Sequence, residues 1–289
     1  MNIDIYAICW NEADMLGFFF KHYDSIASRY IIYDDGSTDG SLDILHRHPK
    51  VEVRPFDRSI SDSYVLSAQR LHNSAWKESR KLADWVFLTA IDEHLVHDDL
   101  LTYLRRCKAE GSTIIPALGF QMISDDFPKP NERLCHAVTT GAPFAKMSKL
   151  CVFRPDQIDE TNFCVGRHSA DPTGNVVLPP TDEMLNLHFK YLDFNRLARR
   201  HKVLAGGLGT LDNTRGFGHR YHFGEEQLRK DWRAFQSQAV GITKPGFQAA
   251  SHHENQTWWR NRTPPYPVSD TGSKAGLVRK LTHLLGFGR

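Results

Sequence analysis

The segment Tyr30-Ile31-Ile32-Tyr33-Asp34-Asp35-Gly36-Ser37-Thr38-Asp39-Gly40-Ser41 runs a short β-type apolar stretch straight into two carboxylates and a glycine. β-Branched and aromatic residues suit a buried strand, and Gly36 lets the chain turn away at once. Ser37, Thr38 and Asp39 then serve as caps for a helix through Leu42, Ile44 and Leu45. A strand that stops on paired acids in this way reads as a ligand-binding strand end.

The flanking chain repeats the plan. Ile3 to Cys9 is apolar except for Asp4 and ends at Trp10-Asn11-Glu12, after which Leu16, Phe19, Phe20 and Tyr23 recur at helical spacing. Val51 to Arg54 predicts a third strand, and Val65, Ala68, Leu71 and Ala75 mark one face of a helix over Tyr64 to Arg80. Trp85 to Leu88 predicts a fourth strand, which breaks at Thr89-Ala90-Ile91-Asp92-Glu93-His94. Strands alternating with helices call for a parallel sheet with right-handed crossovers. Ligands of such sheets sit at the C-terminal strand edge, so Asn11, Asp34, Asp35, Asp92 and Glu93 are expected to converge there. Carboxylates gathered at one edge need neutralising. A magnesium or manganese ion on a phosphate would do it, and ribose hydroxyls or base N–H groups are the other natural partners.

Further along, Leu100 to Ala109 predicts a helix stopped by Gly111, and Thr113 to Leu118 a strand whose Pro116 implies an edge or a bulge. Phe120 to Lys146, with Pro128, Pro130 and Pro143, reads as irregular and substrate-facing. Lys149 to Arg154 predicts another strand, Met184 to Phe189 an apolar stretch carrying His188, and Asp193 to His201 a basic helix. Trp258 to Pro267 reads as a linker or surface strap, and a last helix is expected from Gly276 to Leu285.

Composition bounds the function classes. At 289 residues the chain suffices for one large α/β domain with an extension. Lys+Arg 36 against Asp+Glu 34, a formal charge of +2, gives no ground for nucleic-acid binding. Five cysteines, without a CxxC pair, fit a reduced, cytoplasmic compartment. The acids Asp4, Glu12 and Asp14 exclude a signal peptide, and no apolar run reaches the roughly 20 residues that span a membrane.

With these pieces in order, the sequence resembles the family 2 nucleotide-sugar glycosyltransferases of the GT-A fold, a Rossmann-like, mostly parallel sheet flanked by helices. The likeness is to a bacterial subgroup with Asn-Glu after the first strand. It is carried by Asn11-Glu12-Ala13-Asp14, by Tyr33 to Ser41, and by Trp85 through Asp92-Glu93 with Leu95-Val96. Lys149 to Pro155, Gly166-Arg167-His168 and Leu187-His188-Phe189-Lys190 match later landmarks. The resemblance implies a catalytic domain over 1–205 and a C-terminal helical extension over 206–289.

It also implies roles. Asn11 and Glu12 would lie beside the nucleotide, and Asp34 or Asp35 would bond the base or ribose. Asp92 would hold Mn2+ or Mg2+, with His188 completing the metal or pyrophosphate site and Lys190 offsetting the diphosphate. The donor would be a UDP-sugar, the acceptor a glycan or lipid-linked hydroxyl in surface-glycan assembly, and transfer inverting. Ala90 departs from the family's Asp-x-Asp pattern and bears on nucleotide choice. The general base is sought at Asp125 and Asp126, after the strand expected to border the acceptor.

Plainer readings stand beside these. Asp-Asp-Gly-Ser is also a common turn, Asp92-Glu93 would equally cap a following helix, and a histidine in an apolar stretch is usually a core residue. His219, His222, His252 and His253 read as surface residues. Leu277, Val278, Leu281, Leu284 and Leu285 share one helical face near Arg279 and Lys280, which suits peripheral contact with an anionic membrane or, at least as well, docking on its own domain or a partner subunit. A silent nucleotide-sugar binder and a metal-dependent phosphohydrolase are the competing function classes. A dinucleotide oxidoreductase is disfavoured because no G-x-G-x-x-G loop follows the first strand.

Overall fold

Buried aromatic and β-branched residues build the first half of the sheet. β1 (Ile3–Cys9) leads into α1 (Ala13–Tyr23), β2 (Arg29–Asp34) into α2 (Ser41–Arg47), and β3 (Val51–Pro55) into α3 (Tyr64–Ser74), with β4 (Trp85–Leu88) after it. β1 pairs in parallel with β2 and with β4, and β2 with β3. Cys9 stands level with Asp34, Asp34 with Pro55, and Tyr6 with Leu88, so the C-terminal strand ends share one edge. The computed structural model describes residues 1–244 and 246–270. The helix expected over Gly276 to Leu285, and with it the membrane reading, lies outside the described residues.

The second half continues through β5 (Glu93–Val96), α4 (Leu100–Glu110), β6 (Ile114–Ser124), α5 (Leu134–Ala137), β7 (Thr140–Pro143), β8 (Lys149–Phe153), β9 (Ile158–Glu160) and β10 (Thr173–Gly174). β11 (Leu185–Leu192), α6 (Phe194–Gly207), α7 (Thr210–Thr214), α8 (Glu225–Gln238) and β12 (Val240–Gly241) complete it. The main path is β12-β7-β6-β8-β4-β1-β2-β3. The architecture is therefore the expected α/β sheet flanked by helices, parallel over β3-β2-β1-β4 and continued antiparallel through β8. β6 serves both halves: Ile114 to Ala117 pairs with β8, and Leu118 to Ser124 runs parallel to β11, which in turn pairs with β5. The register slips between Ile115 and Pro116, the bulge that the proline implied. At Gly119 the chain passes so close to Met147 that a Cβ would stand 2.2 Å from its carbonyl carbon.

Three expectations change. Asp92-Glu93 does not cap a helix, because Glu93 opens β5 and α4 is capped by Asp99, whose Oδ1 accepts from the Thr102 N–H at 3.2 Å. The segment from Phe120 is not irregular at its start, since β6 runs on to Ser124, and β7 lies further along it. His253 is buried rather than superficial. Trp258 to Pro267 is a strap, but one anchored by a buried Trp259 whose Nε1–H donates to Asp182 Oδ1 at 3.0 Å. Leu228, Trp232 and Phe235 of α8 pack with Tyr191 and Leu197 in a second core, beside the large one around the sheet.

Candidate active site

The turns after β1 and β2 are laced together by their own polar side chains. Asp34 Oδ2 accepts from the Gly36 and Ser37 N–H groups, each at 2.9 Å. Ser37 Oγ accepts from the Asn11 N–H at 2.9 Å, and Asn11 Oδ1 from the Thr38 N–H at 2.7 Å. Ser41 Oγ takes the Glu12 N–H at 2.9 Å and Asp39 Oδ2 the Ala13 N–H at 3.0 Å. Asn11, expected beside a nucleotide, therefore spends its carbonyl oxygen on holding the loop, from a left-handed backbone at φ 54°. One atom is left over. Asp34 Oδ1 is buried and has no hydrogen-bond partner among the described residues. An orphaned buried acceptor costs about 1–3 kcal/mol, which an incoming O–H or N–H recovers.

The carboxylates after the strand ends are met in large part by cations of the chain itself. Arg58 grips Asp35 with Nε and Nη2 at 2.9 and 2.7 Å, which engages both of its carboxylate oxygens. Arg200 of α6 binds the Glu12 carboxylate and donates to the carbonyls of Trp10 and Asn11 at 2.9 Å each. Glu93 is met by Lys149 Nζ at 2.5 Å and Arg167 Nη2 at 3.0 Å. Burial alone would raise the Glu93 carboxyl, but Lys149 and Arg167 win and hold it at about 2. Sequence spacing hides these pairs, whose members lie tens of residues apart. Of these cations only Lys149 and Arg167 fell within quoted landmarks, at the head of Lys149 to Pro155 and in Gly166-Arg167-His168.

Asp92 is the exception. Its Oδ2 faces His188 Nε2 at 3.3 Å. Burial pushes its carboxyl up, and His188, then Lys190 and Arg200, more than reverse that, keeping it well below the usual carboxylate range. Gln121 donates its amide to the His188 carbonyl at 2.9 Å and to the Met122 carbonyl at 3.1 Å, so its Oε1 accepts from His188 Nδ1–H at 2.7 Å. Nε2 is thereby turned to the carboxylate, an arrangement that a proton or a shared cation makes attractive. Among the described residues no three His, Cys, Asp or Glu side chains form a metal cage. A carboxylate and an imidazole suit a divalent ion whose other ligands are diphosphate oxygens and water, as hard cations on nucleotides take them.

Beside this edge lies a cavity of about 470 Å³, lined by Tyr64 and His72 of α3, by Ala90, Glu93, Gln121, His188 and Lys190, and by the segments 146–149, 165–168 and 216–221. Asn11, Glu12, Asp34, Asp35 and Asp92 are not part of its lining. Lys190 Nζ donates to the Tyr221 hydroxyl at 3.2 Å and lies 4.5 Å from that ring's centre. His72 is held well below the ordinary imidazole range by burial, then by Arg167 and Lys149. Asp125 and Asp126 lie in an exposed turn just past the end of β6 and outside the lining of this cavity, and the adjacent Phe127 packs on Phe18 of α1.

No family model and no curated protein matches the chain. Among solved structures it is similar to S. aureus TarS in complex with UDP-GlcNAc, at 11% identity over 82% of this chain and 72% of that one, with a TM-score of 0.39. The TarS complex with UDP matches at 12% identity over 54% of this chain and 47% of that one, with a TM-score of 0.37. Glucosyl-3-phosphoglycerate synthase from Mycobacterium tuberculosis, in complex with Mn2+, UDP and glucosyl-3-phosphoglycerate, matches at 15% identity over 42% of this chain and 44% of that one, TM-score 0.27. In the last two matches the chain spans about half the length of its relative.

Proposed function

We propose that this protein transfers a glycosyl group from a nucleoside diphosphate sugar to an acceptor hydroxyl, with a UDP-sugar as the donor that its motifs imply. The observation that carries the reading is the orphaned Asp34 Oδ1 on the same strand edge as the Asp92–His188 pair, whose histidine also lines the cavity. Asp34 Oδ1 takes an O–H or N–H of the nucleoside. Asp92 and His188 stand where the diphosphate follows, and the cavity receives sugar and acceptor. Asp92 and His188 would hold Mn2+ or Mg2+, which would supply charge stabilisation to the leaving diphosphate.

The reaction is one displacement, in the inverting sense. The acceptor oxygen bonds to the anomeric carbon as the bond from that carbon to the β-phosphate oxygen breaks, and the diphosphate leaves with the electron pair. Lys190, without a carboxylate partner among the described residues, offsets that charge. The hydroxyl proton passes to a group lining the cavity, which Asp125 and Asp126 do not. Surface-glycan assembly is the setting that the family resemblance suggests.

The test incubates the protein with a panel of labelled nucleotide sugars, with and without hydroxyl acceptors, in manganese. Product that requires acceptor supports transfer. Sugar or phosphate released at the same rate whether or not acceptor is present would point to hydrolysis and remove the proposal.

A further inference from the structure

The cations lining the cavity outnumber its carboxylates. Lys146, Lys149, Arg167, Lys190 and Arg220 face it against Glu93 alone. Arg220 is committed to Asp231, at 3.2 Å. Lys149 and Arg167 share Glu93, all three side chains being no more than 5% exposed, so one positive charge stays buried at the cavity floor without a counter-charge among its lining residues. Such a charge is costly unless an anion meets it. Asp92, the nearest carboxylate in sequence, is turned to His188 instead.

The backbone holds this charge in place. Gly166 and Arg167 are consecutive left-handed residues, at φ 70° and 58°, and Arg167 Nη1 donates to the Leu88 carbonyl at 2.7 Å, which fixes the guanidinium between the end of β4 and Glu93. A non-glycine residue kept in that conformation is strain that persists where the surroundings demand it. At the open end, His168 Nδ1 is 2.6 Å from the Lys146 carbonyl, which brings the segment 165–168 against the segment before β8. This wall belongs to β8 and to the 165–168 turn, whereas the donor's diphosphate is assigned to Asp92 and to His188 and Lys190 of β11.

We infer that the Lys146–Lys149 and Arg167–His168 wall is an anion subsite that binds a phosphoryl or carboxylate group of the acceptor while the donor is in place. Its place in the reaction rests on the transferase reading above; its capacity to bind an anion does not. An acceptor bearing such a group next to the attacking hydroxyl would be anchored on this wall, and a neutral sugar would leave the buried charge uncompensated.

Inorganic phosphate, glycerol 3-phosphate and glucuronate are titrated calorimetrically into the full chain, with and without saturating UDP and manganese. The expected result is binding that persists beside UDP and weakens about tenfold in Lys146→Gln, the loss of one charge-assisted contact, and by less in His168→Gln, because burial and then Lys149 hold that imidazole neutral, down at about 4. UDP affinity should be unchanged in both. These two positions are chosen because they are exposed, so neither variant threatens the fold as Lys149→Gln would. Preference for glycerol 3-phosphate over glucuronate would identify the group as phosphoryl, and the reverse as carboxylate. Displacement of phosphate by UDP, mole for mole, would overturn the subsite and assign these cations to the donor. Equal binding in wild type and variants would overturn it as an adventitious ion only. If UDP does not bind at all, the donor reading fails, and the titrations without UDP still decide the subsite by the same comparison of variants.

Discussion

At the scale of single residues, the two acids after β2 have opposite fates. Asp35 has both oxygens engaged by the Arg58 fork, while Asp34 keeps one buried oxygen free of any partner among the described residues. In Asp34→Asn, an amide that still accepts from Gly36 and Ser37 turns its NH2 to the orphan position and removes the acceptor. Nucleoside diphosphate affinity should fall about tenfold, the worth of one hydrogen bond to a charged group, while thermal stability stays level or rises. Retained affinity in calorimetry would show that Asp34 does not touch the nucleotide. Asp125→Asn and Asp126→Asn, by contrast, should leave kcat/KM within about twofold, as exposed substitutions away from a site do. A loss of a hundredfold or more in either would return the general base to that turn.

At the scale of elements, α6 is the clamp that sets the turn after β1. Arg196 reaches Asp14 at 2.6 Å, Arg200 binds Glu12 and two turn carbonyls, and Gly207 lies so close to Trp10 that a Cβ would stand 2.4 Å from its ring. Gly207→Ala should cost about 1–3 kcal/mol by overpacking, read as a lowered Tm. Arg200→Leu should cost about 3 kcal/mol by stranding Glu12, and adding Glu12→Gln should recover part of it. Additive losses in that double-mutant cycle would remove the pair from the account. The elements legible in the sequence were those whose apolar runs end on punctuation. β1, β2 and β4 stop at Trp10-Asn11, Asp34-Asp35 and Thr89, and their parallel register carries the acids to one edge without further help. β5 was illegible because Glu93 and His94 look like solvent-facing residues. The first is buried by Lys149 and Arg167, and the second stacks on His22 with ring centres 4.5 Å apart. The far half of β6 was hidden for the same reason, since Gln121 reads as polar surface until His188 is placed beside it. Long-range partners, not local pattern, decide these segments.

At the scale of the whole molecule, histidines make the fold acid-sensitive. Burial first of all lowers His253 to about 4 and His201 to about 3 from an ordinary 6.5, and holds His94 well below that ordinary value. A depressed folded value means that the unfolded chain binds protons first. Stability is therefore complete above about pH 6.5 and drains as pH falls through these values toward 3. Glu93 adds a second window, its stabilisation being lost between its ordinary 4.5 and about 2. Tm should accordingly drop between pH 7 and pH 5 in thermal melts, and a flat profile there would show that these imidazoles are charged in the native state. Beyond residue 205, the segment 216–221 walls the cavity, β12 extends the sheet at β7, and Trp259 is buried. Among the described residues no helix is long and apolar enough to cross a membrane. The whole arrangement turns on one claim, that a nucleoside diphosphate occupies the edge shared by β1, β2 and β4. Calorimetric titration of UDP with and without manganese, into wild type and Asp92→Asn, tests it most directly. The account predicts manganese-dependent binding in the wild type that is lost in the folded variant. No binding to a folded wild type, or binding indifferent to both manganese and Asp92, would contradict it.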